Sequence, residues 1–598
     1  MGTARSPQRR AAPARGGGGG GTRQVSTRTA NPRRRLLIAA IATGLALVAY
    51  AGRLVQVQAV EATPVAAAAA ASMLTTVSLP ATRGSITDAH GVVLAASEPA
   101  DDVTADQTLI HDPAATAAAL SAVLGVPSAT LAARLTGHAH FVYLARQVSP
   151  QTWAQVQALN LVGVFHDVTT KRIYPDGTLA ANLLGYVGID GTGLGGLELQ
   201  YNPLLAGSAG YETYESGPQG EQIPGPNDSN RPAVDGGTLH LTVDRDIQWV
   251  AQQAIAADVA SSHADSGYVI VEDVQTGHIL AMATAPGFDP NNLAADNPAD
   301  LGNPALSDIY EPGSTAKVMT AAAVLQERTL TPNSRLTVPP TLQRGGYTFH
   351  DDVAHGTWDL TLTGVLARSS NLGAILAGET IGPAKLYAFQ KAFGIGQPSG
   401  LNFPGESQGS LPYLPSSPIA TQTTAAFGQG ISVTALQATS VFATIANNGV
   451  RVSPSLVEGW TDGSGVYHPA AAPTTTRVVS AGTAATLRAM LESVVSDQGT
   501  APLAAIPGYQ VAGKTGTANR IDPTCGCYRG YTASFIGMAP ADKPRLVISV
   551  TLQNPKVAAH FGGTLGAPVF RQVMTFALQT LAVPPTLAPA PRLQLTWP

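Results

Sequence analysis

The chain has 598 residues, 44% of them hydrophobic and 12% charged, which is ample for sizeable cores and too long for one typical domain. Its net charge of −4 hides an asymmetry: nine of the 35 basic residues are arginines within the first 35 positions, where there is no acid, leaving 26 basic against 39 acidic side chains in the rest. Two cysteines in so long a chain exclude a disulfide framework.

Residues 1–35, with six consecutive glycines at 16 to 21 and no apolar periodicity, read as a disordered basic tail. A nucleic-acid-binding arm is the competing reading, and the next segment decides against it. Leu36 to Gly52 is an uncharged run of 17 residues. At about 1.5 Å per residue it crosses most of a bilayer core of roughly 30 Å, with Arg53 able to snorkel. The expectation is a single transmembrane helix over 36–58 in a bacterial cell membrane, with the arginines holding the N-terminus in the cytoplasm and everything after residue 60 outside. A cleaved signal peptide is the alternative, but signal h-regions run about 7 to 15 residues, and this one continues through Leu54-Val55-Gln56-Val57. The Ala-rich stretch from Glu61 to Ser72 is a continuation of that helix or a spacer.

Residues 59–237 form a block of short elements with no nucleophile-and-base set, as expected of a support or docking domain. Asp112-Pro113 opens an Ala/Leu helix closed by Gly125, and Ser128 opens another closed by Gly137. The stretch from Gly207 to Gly237 is rich in Gly, Pro, Asn, Asp and Ser, a connector composition, and a domain boundary is placed at its end. Beyond it, Leu239 to Val243 is strand-like, and Ile247 to Ala256 is a helix with Ile247, Val250, Ala251 and Ile255 on one side. Tyr268 to Val271 and Ile279 to Ala283 flank the hairpin signal Gln275-Thr276-Gly277.

Ser314 follows Glu311-Pro312-Gly313 and precedes an Ala/Val/Leu run through Leu325, which predicts a helix N-terminus. Residues three apart on a helix share a face, so Lys317 falls beside Ser314. The alternating segment Tyr509 to Ala512 predicts a strand that carries Lys514-Thr515-Gly516, where the glycine allows close backbone approach. Ala533 to Met538 and Leu546 to Thr551 are two more strands, and Val569 to Leu578 is a closing amphipathic helix. Cys525-Gly526-Cys527 could be half of a metal site, but nothing completes it, and the expectation is ordinary loop thiols. Residues 583–598 are a Pro-rich tail.

Three short motifs carry the chemistry, in order: Ser314-Thr315-Ala316-Lys317, Ser369-Ser370-Asn371 and Lys514-Thr515-Gly516-Thr517. Each alone is weak. Together they supply a serine nucleophile, a lysine to take its proton, a hydroxyl and amide to relay protons and hold substrate, and a second cation for a carboxylate. That is an acyl-transfer site needing no cofactor and no metal.

With these motifs, and with Arg83-Gly84-Ser85-Ile86-Thr87-Asp88, Arg172-Ile173-Tyr174-Pro175, Gly196-Leu197-Glu198, Thr276 to Met282 and Phe427-Gly428-Gln429-Gly430, the chain resembles the class B penicillin-binding proteins. Ala89-His90 departs from the family's usual Arg-Asn there, and no catalytic residue depends on it. The resemblance implies a mixed α+β fold: an N-terminal transmembrane helix, a pedestal of the dimerisation type over 59–237, and a transpeptidase domain over 238–582 with a central antiparallel sheet flanked by helices. It implies catalytic Ser314, Lys317, Ser369, Asn371 and Lys514, with Thr515, Gly516 and Thr517 binding substrate.

The implied substrates are peptidoglycan stem peptides and their lipid-linked precursor, and β-lactams would acylate the same serine. The implied partners are the membrane, divisome proteins and a polytopic glycosyltransferase docked on the pedestal around Arg83, Gly84 and Arg172, with no nucleic acid. The division-type branch is the nearer match. An elongation-type enzyme, a D,D-carboxypeptidase, and a non-enzymatic β-lactam sensor or division scaffold are the rival readings.

Overall fold

The computed structural model describes residues 32–60, 74–216, 222–223, 229–522, 524–586 and 588–597. The basic tail up to residue 31, the Ala-rich stretch 61–73 and most of 217–228 lie outside the described residues. The apolar helix begins earlier than the uncharged run suggests, at Pro32, and runs to Val55 before a π-helical turn, Gln56–Val60. Proline suits a first helical turn and arginine is a good helix former, so Arg33, Arg34 and Arg35 join the helix. By length and composition, Pro32–Ala59 is able to cross a membrane.

The chain divides into two compact units, 1–77 with 212–229, and 78–211 with 230–598. The smaller carries the apolar helix and a cross-strand contact between the Thr76 and Thr213 hydroxyls at 2.9 Å.

In the larger unit, a sheet runs in the order Tyr467–Pro469, Val457–Thr461, Thr238–Leu241, Ile86–Thr87, Val93–Ala105 and Val142–Val148, with Val164–Ile173 paired to Val93–Ala105. Segments from both sides of Gly237 share it because Gly84 and Gly237 let two backbones meet: a Cβ on Gly84 would lie 1.9 Å from the Gly237 carbonyl oxygen. A second apolar cluster, of Val103, Leu120, Leu131, Leu144 and Val156, sits apart. Helix Pro113–Leu124 in that cluster is capped as expected, by Asp112 accepting from the Ala114 and Ala115 amides and by left-handed Gly125. The next helix is not. Ser128 is its first helical residue behind Pro127, with no side-chain cap, and it ends at Leu135, short of Gly137.

Arg83 and Arg172 are not a docking surface. Both are buried on Glu198, which is fully buried. Arg83 Nε donates to Glu198 Oε2 and Arg172 Nε to Oε1, each at 2.7 Å, and Arg172 Nη1 donates to the Gly84 carbonyl at 2.7 Å. One internal carboxylate thus ties three segments of chain.

The C-terminal half is built on a five-stranded sheet, Ile279–Ala285, Ser266–Asp273, Leu546–Gln553, Cys527–Ala539 and Ala512–Asp522, antiparallel throughout. Helices Arg245–Ser262 and Gly566–Thr580 pack on it and on each other. Arg245–Ser262 is capped by Asp244 and buries Ile247, Val250, Ala251 and Ile255 as the periodicity predicts. Helix Ala435–Ala446 also packs on the sheet, with Thr439 Oγ1 donating to Ser549 Oγ at 2.7 Å. The strand carrying Lys514 starts only at Ala512, because left-handed Gly508 and a Tyr509 amide bond to the Ile506 carbonyl turn the chain just before it.

One loop differs from expectation. Cys525 and Cys527 are joined in a disulfide rather than standing as free thiols; left-handed Gly526 turns the hairpin tip so that the two side chains meet. The Pro-rich tail packs back on the body. Leu595 O accepts from the Thr361 amide at 3.0 Å, Gln594 O accepts from Thr361 Oγ1 at 2.6 Å, and the Trp597 amide donates to Asp359 O at 3.1 Å.

Candidate active site

Ser314 sits in the 3₁₀ turn Gly313–Ala316, which runs straight into helix Lys317–Gln326. The turn is held from behind by the Phe427 to Gly430 loop. Gly313 N donates to Gly428 O at 3.1 Å, and a Cβ on left-handed Gly428 would lie 2.2 Å from the Gly313 carbonyl oxygen, so only glycine fits. Glu311 ties the same turn to two others, accepting from the Gly430 amide at 2.9 Å and from the Tyr528 hydroxyl at 3.0 Å.

Helix Leu362–Arg368 ends at Ser369, whose left-handed backbone breaks the chain direction before helix Asn371–Glu379 begins. Ser370 is the cap of that second helix, accepting from Gly373 N at 2.9 Å. The break turns the Ser369 and Asn371 side chains toward Lys317. Lys514 arrives from the edge strand of the sheet, in register with Ile536, and Thr517 with Ala533.

The three motifs converge. Lys317 Nζ lies 2.8 Å from Ser314 Oγ, 2.6 Å from Ser369 O, 2.7 Å from Asn371 Oδ1 and 3.3 Å from Ser369 Oγ. Lys514 Nζ donates to Ser369 Oγ at 2.8 Å, so one hydroxyl stands between two lysines. Both are buried, and both are shifted in the same direction. Burial lowers Lys317 to about 8, against the opposing pull of Asp352 and Asp351. Burial and the Lys317 charge push Lys514 well below the ordinary lysine range. Two ammonium groups facing one hydroxyl in a dry site repel, so the pair favours a single proton at neutral pH.

A cleft of about 370 Å³ opens over these groups, lined by Ser314, Ser369, Thr515, Thr517 and, from outside the motifs, Asp352, Trp358, Thr500 and Phe561. Thr515 and Thr500 hydroxyls meet at 2.9 Å. Gly516 does not line the cleft; a Cβ there would lie 2.3 Å from Ser534 Oγ and 3.2 Å from Pro312 O, so its lack of a side chain lets the strand approach the Ser314 turn.

Sequence reasoning misses Asp351 and Asp352. Asp351 is buried; its Oδ1 accepts from the Leu372 amide at 3.0 Å and from the Asn371 amide, and its Oδ2 accepts from Ser370 Oγ at 2.7 Å with His355 Nε2 3.0 Å away. It anchors the start of the Asn371 helix. Asp352 accepts from Asn371 Nδ2 at 3.3 Å, which leaves Asn371 Oδ1 for Lys317. No motif marks either residue; the one sequence signal is two adjacent acids in a polar stretch before Ser369.

A family model described as the penicillin-binding protein transpeptidase domain matches residues 267–575, and one described as the penicillin-binding protein dimerisation domain matches 78–241. The chain is 40% identical over 482 residues to penicillin-binding protein PbpB of Mycobacterium tuberculosis, covering 78% of this chain and 70% of that one. It is 32% identical over 510 residues to peptidoglycan D,D-transpeptidase FtsI of Escherichia coli, covering 84% of each. Among solved structures, penicillin-binding protein 3 of M. tuberculosis complexed with aztreonam superposes with a TM-score of 0.69 at 34% identity, over 87% of this chain and all of that one.

Proposed function

The chain belongs to the penicillin-binding protein transpeptidase family, and on that premise we propose that it is a peptidoglycan D,D-transpeptidase that crosslinks stem peptides through an acyl ester on Ser314. The observation that carries this reading is Lys317 Nζ at 2.8 Å from Ser314 Oγ with its proton affinity lowered to about 8. An ordinary lysine, near 10.4, stays protonated at neutral pH and accepts nothing.

Ser314 Oγ attacks the carbonyl of the penultimate D-Ala, and its proton passes to Lys317 Nζ. The backbone N–H groups of Ser314 and Thr517 hold the oxyanion. Lys514 with the Thr515 and Thr517 hydroxyls binds the terminal carboxylate. That arriving carboxylate favours the shared proton on Lys514, which leaves Lys317 neutral when the serine needs a base. The Ser369 hydroxyl, between the two lysines, passes a proton to the leaving nitrogen, and terminal D-Ala departs. An amine of a neighbouring stem then attacks the ester, its proton returning by the same route, and the crosslink forms. A β-lactam acylates Ser314 by the first half of this path.

The helix Pro32–Val55 serves as a membrane anchor with the N-terminus in the cytoplasm, 59–237 as the pedestal and 238–582 as the catalytic domain. The likeness to FtsI supports a septal role, in company with divisome proteins and a polytopic glycosyltransferase. Intact-mass spectrometry after penicillin treatment tests the site: the wild-type chain gains one drug mass and Ser314→Ala gains none. An adduct retained on Ser314→Ala refutes the assignment.

A further inference from the structure

A second cavity, of about 310 Å³, shares no residue with the catalytic cleft; Gly394, Ser399, Ser440, Arg451 and Ser453 are among its lining residues, and no carboxylate lines it. One wall is the short strand Val450–Val452, paired with Thr475–Arg477 in the register Arg451 opposite Thr476.

Arg451 is the unusual member. Other enclosed arginines have acceptors: Arg83 and Arg172 hold Glu198, and Arg488 Nη1 donates to Ile445 O and Asn448 Oδ1. The half-buried Arg451 guanidinium forms no hydrogen bond and no ion pair among the described residues. It lies against left-handed Gly394, where a Cβ would fall 2.2 Å from its Nη1. Burial lowers its proton affinity and no neighbouring carboxylate opposes that. Guanidinium stays charged at any physiological pH. The cavity therefore holds a fixed, partly desolvated positive charge without a counter-charge, an arrangement that costs free energy until an anion enters.

The hydroxyls around it are set to donate. Ser453 Oγ accepts from the Thr474 amide at 2.9 Å and Ser399 Oγ accepts from the Leu401 amide at 3.2 Å. Neither O–H has an acceptor among the described residues, so each is free to donate into the cavity. Gln437, by contrast, is saturated: its Nε2 donates to Gln397 O at 2.8 Å and Gln408 O at 2.7 Å, and its Oε1 accepts from the Thr434 amide at 3.0 Å.

We propose that the Arg451 cavity is an oxyanion-binding site, taking a carboxylate or phosphate group against the guanidinium with the Ser399 and Ser453 hydroxyls as further donors. The inference does not depend on the chemistry assigned to Ser314. Two sources offer this chemistry to an enzyme of peptidoglycan: the carboxylates of a stem peptide, and the phosphates of a lipid-linked precursor.

Full-length protein in detergent is titrated with muramyl dipeptide, which carries a stem carboxylate, and separately with inorganic phosphate, both against sodium chloride at matched ionic strength. Binding is read by calorimetry and by thermal unfolding. A saturable rise of about 2 °C or more in Tm with either ligand, absent from Arg451→Gln, is expected. A response to muramyl dipeptide alone identifies the stem source, and a response to phosphate alone the phosphate source. Penicillin acylation at the wild-type rate shows that Arg451→Gln is folded. Should that variant misfold, Ser453→Ala replaces it, with an expected loss of about threefold to tenfold in affinity. No saturable binding of either ligand, or equal binding by wild type and variant, overturns the proposal.

Discussion

Substituting Asp352→Asn removes one of the two carboxylates that keep Lys317 protonated, while leaving an oxygen for Asn371 Nδ2. Lys317 at about 8 implies that roughly a tenth of the sites carry a neutral Lys317 at pH 7 before the substrate carboxylate arrives. Asp352 acts on Lys317 across the Asn371 amide, through contacts of 3.3 and 2.7 Å at its two ends, and a charge separation on the order of 6 Å is taken for the Coulomb estimate. Coulomb's law there gives about 0.7 kcal/mol at water's dielectric and about 2.8 kcal/mol at an effective value near 20, or about half a pKa unit to two units. The sign follows from the charge: losing a carboxylate disfavours the ammonium form, so the midpoint moves to lower pH. The deprotonated fraction at pH 7 then rises to between about a quarter and nine-tenths. Stopped-flow acylation with a chromogenic cephalosporin between pH 5.5 and 9.5 measures the midpoint in both proteins. A midpoint that stays in place or moves to higher pH refutes the account of Lys317 as the base tuned by this carboxylate.

Two further outcomes follow from packing. Deleting residues 593–598 removes the acceptors that hold Thr361, the cap of the helix ending at Ser369. Without those two hydrogen bonds and the Trp597 amide bond to Asp359, a fall of about 2–3 kcal/mol in unfolding free energy is expected in a urea titration, with slower acylation; an unchanged denaturation midpoint contradicts that support role. Arg83→Ala leaves the buried Glu198 with Arg172 as its one guanidinium partner, beside the Tyr174 hydroxyl; a loss of about 3–5 kcal/mol in chemical denaturation is expected, and a fully stable variant contradicts the internal role given to this arginine.

Much of the site was legible because its chemistry is local. Ser314 and Lys317 meet because three residues make nearly one helical turn. Helix Pro113–Leu124, helix Arg245–Ser262 and the Gly277 hairpin announced themselves through caps, apolar period and turn glycine, all of which act within a few residues.

Other features depended on partners far away in sequence. Ser369 stands between two lysines that lie 52 and 145 residues from it, an arrangement set by the sheet register and by a left-handed break at Ser369 that no local propensity demands. Asp351 holds the Asn371 helix from a loop that carries no motif. Arg83 reads as a surface cation until Glu198, 115 residues on, is placed beneath it. A sequence states which charges exist; only tertiary packing decides which are buried, which carboxylate answers them, and how far a lysine's proton affinity falls.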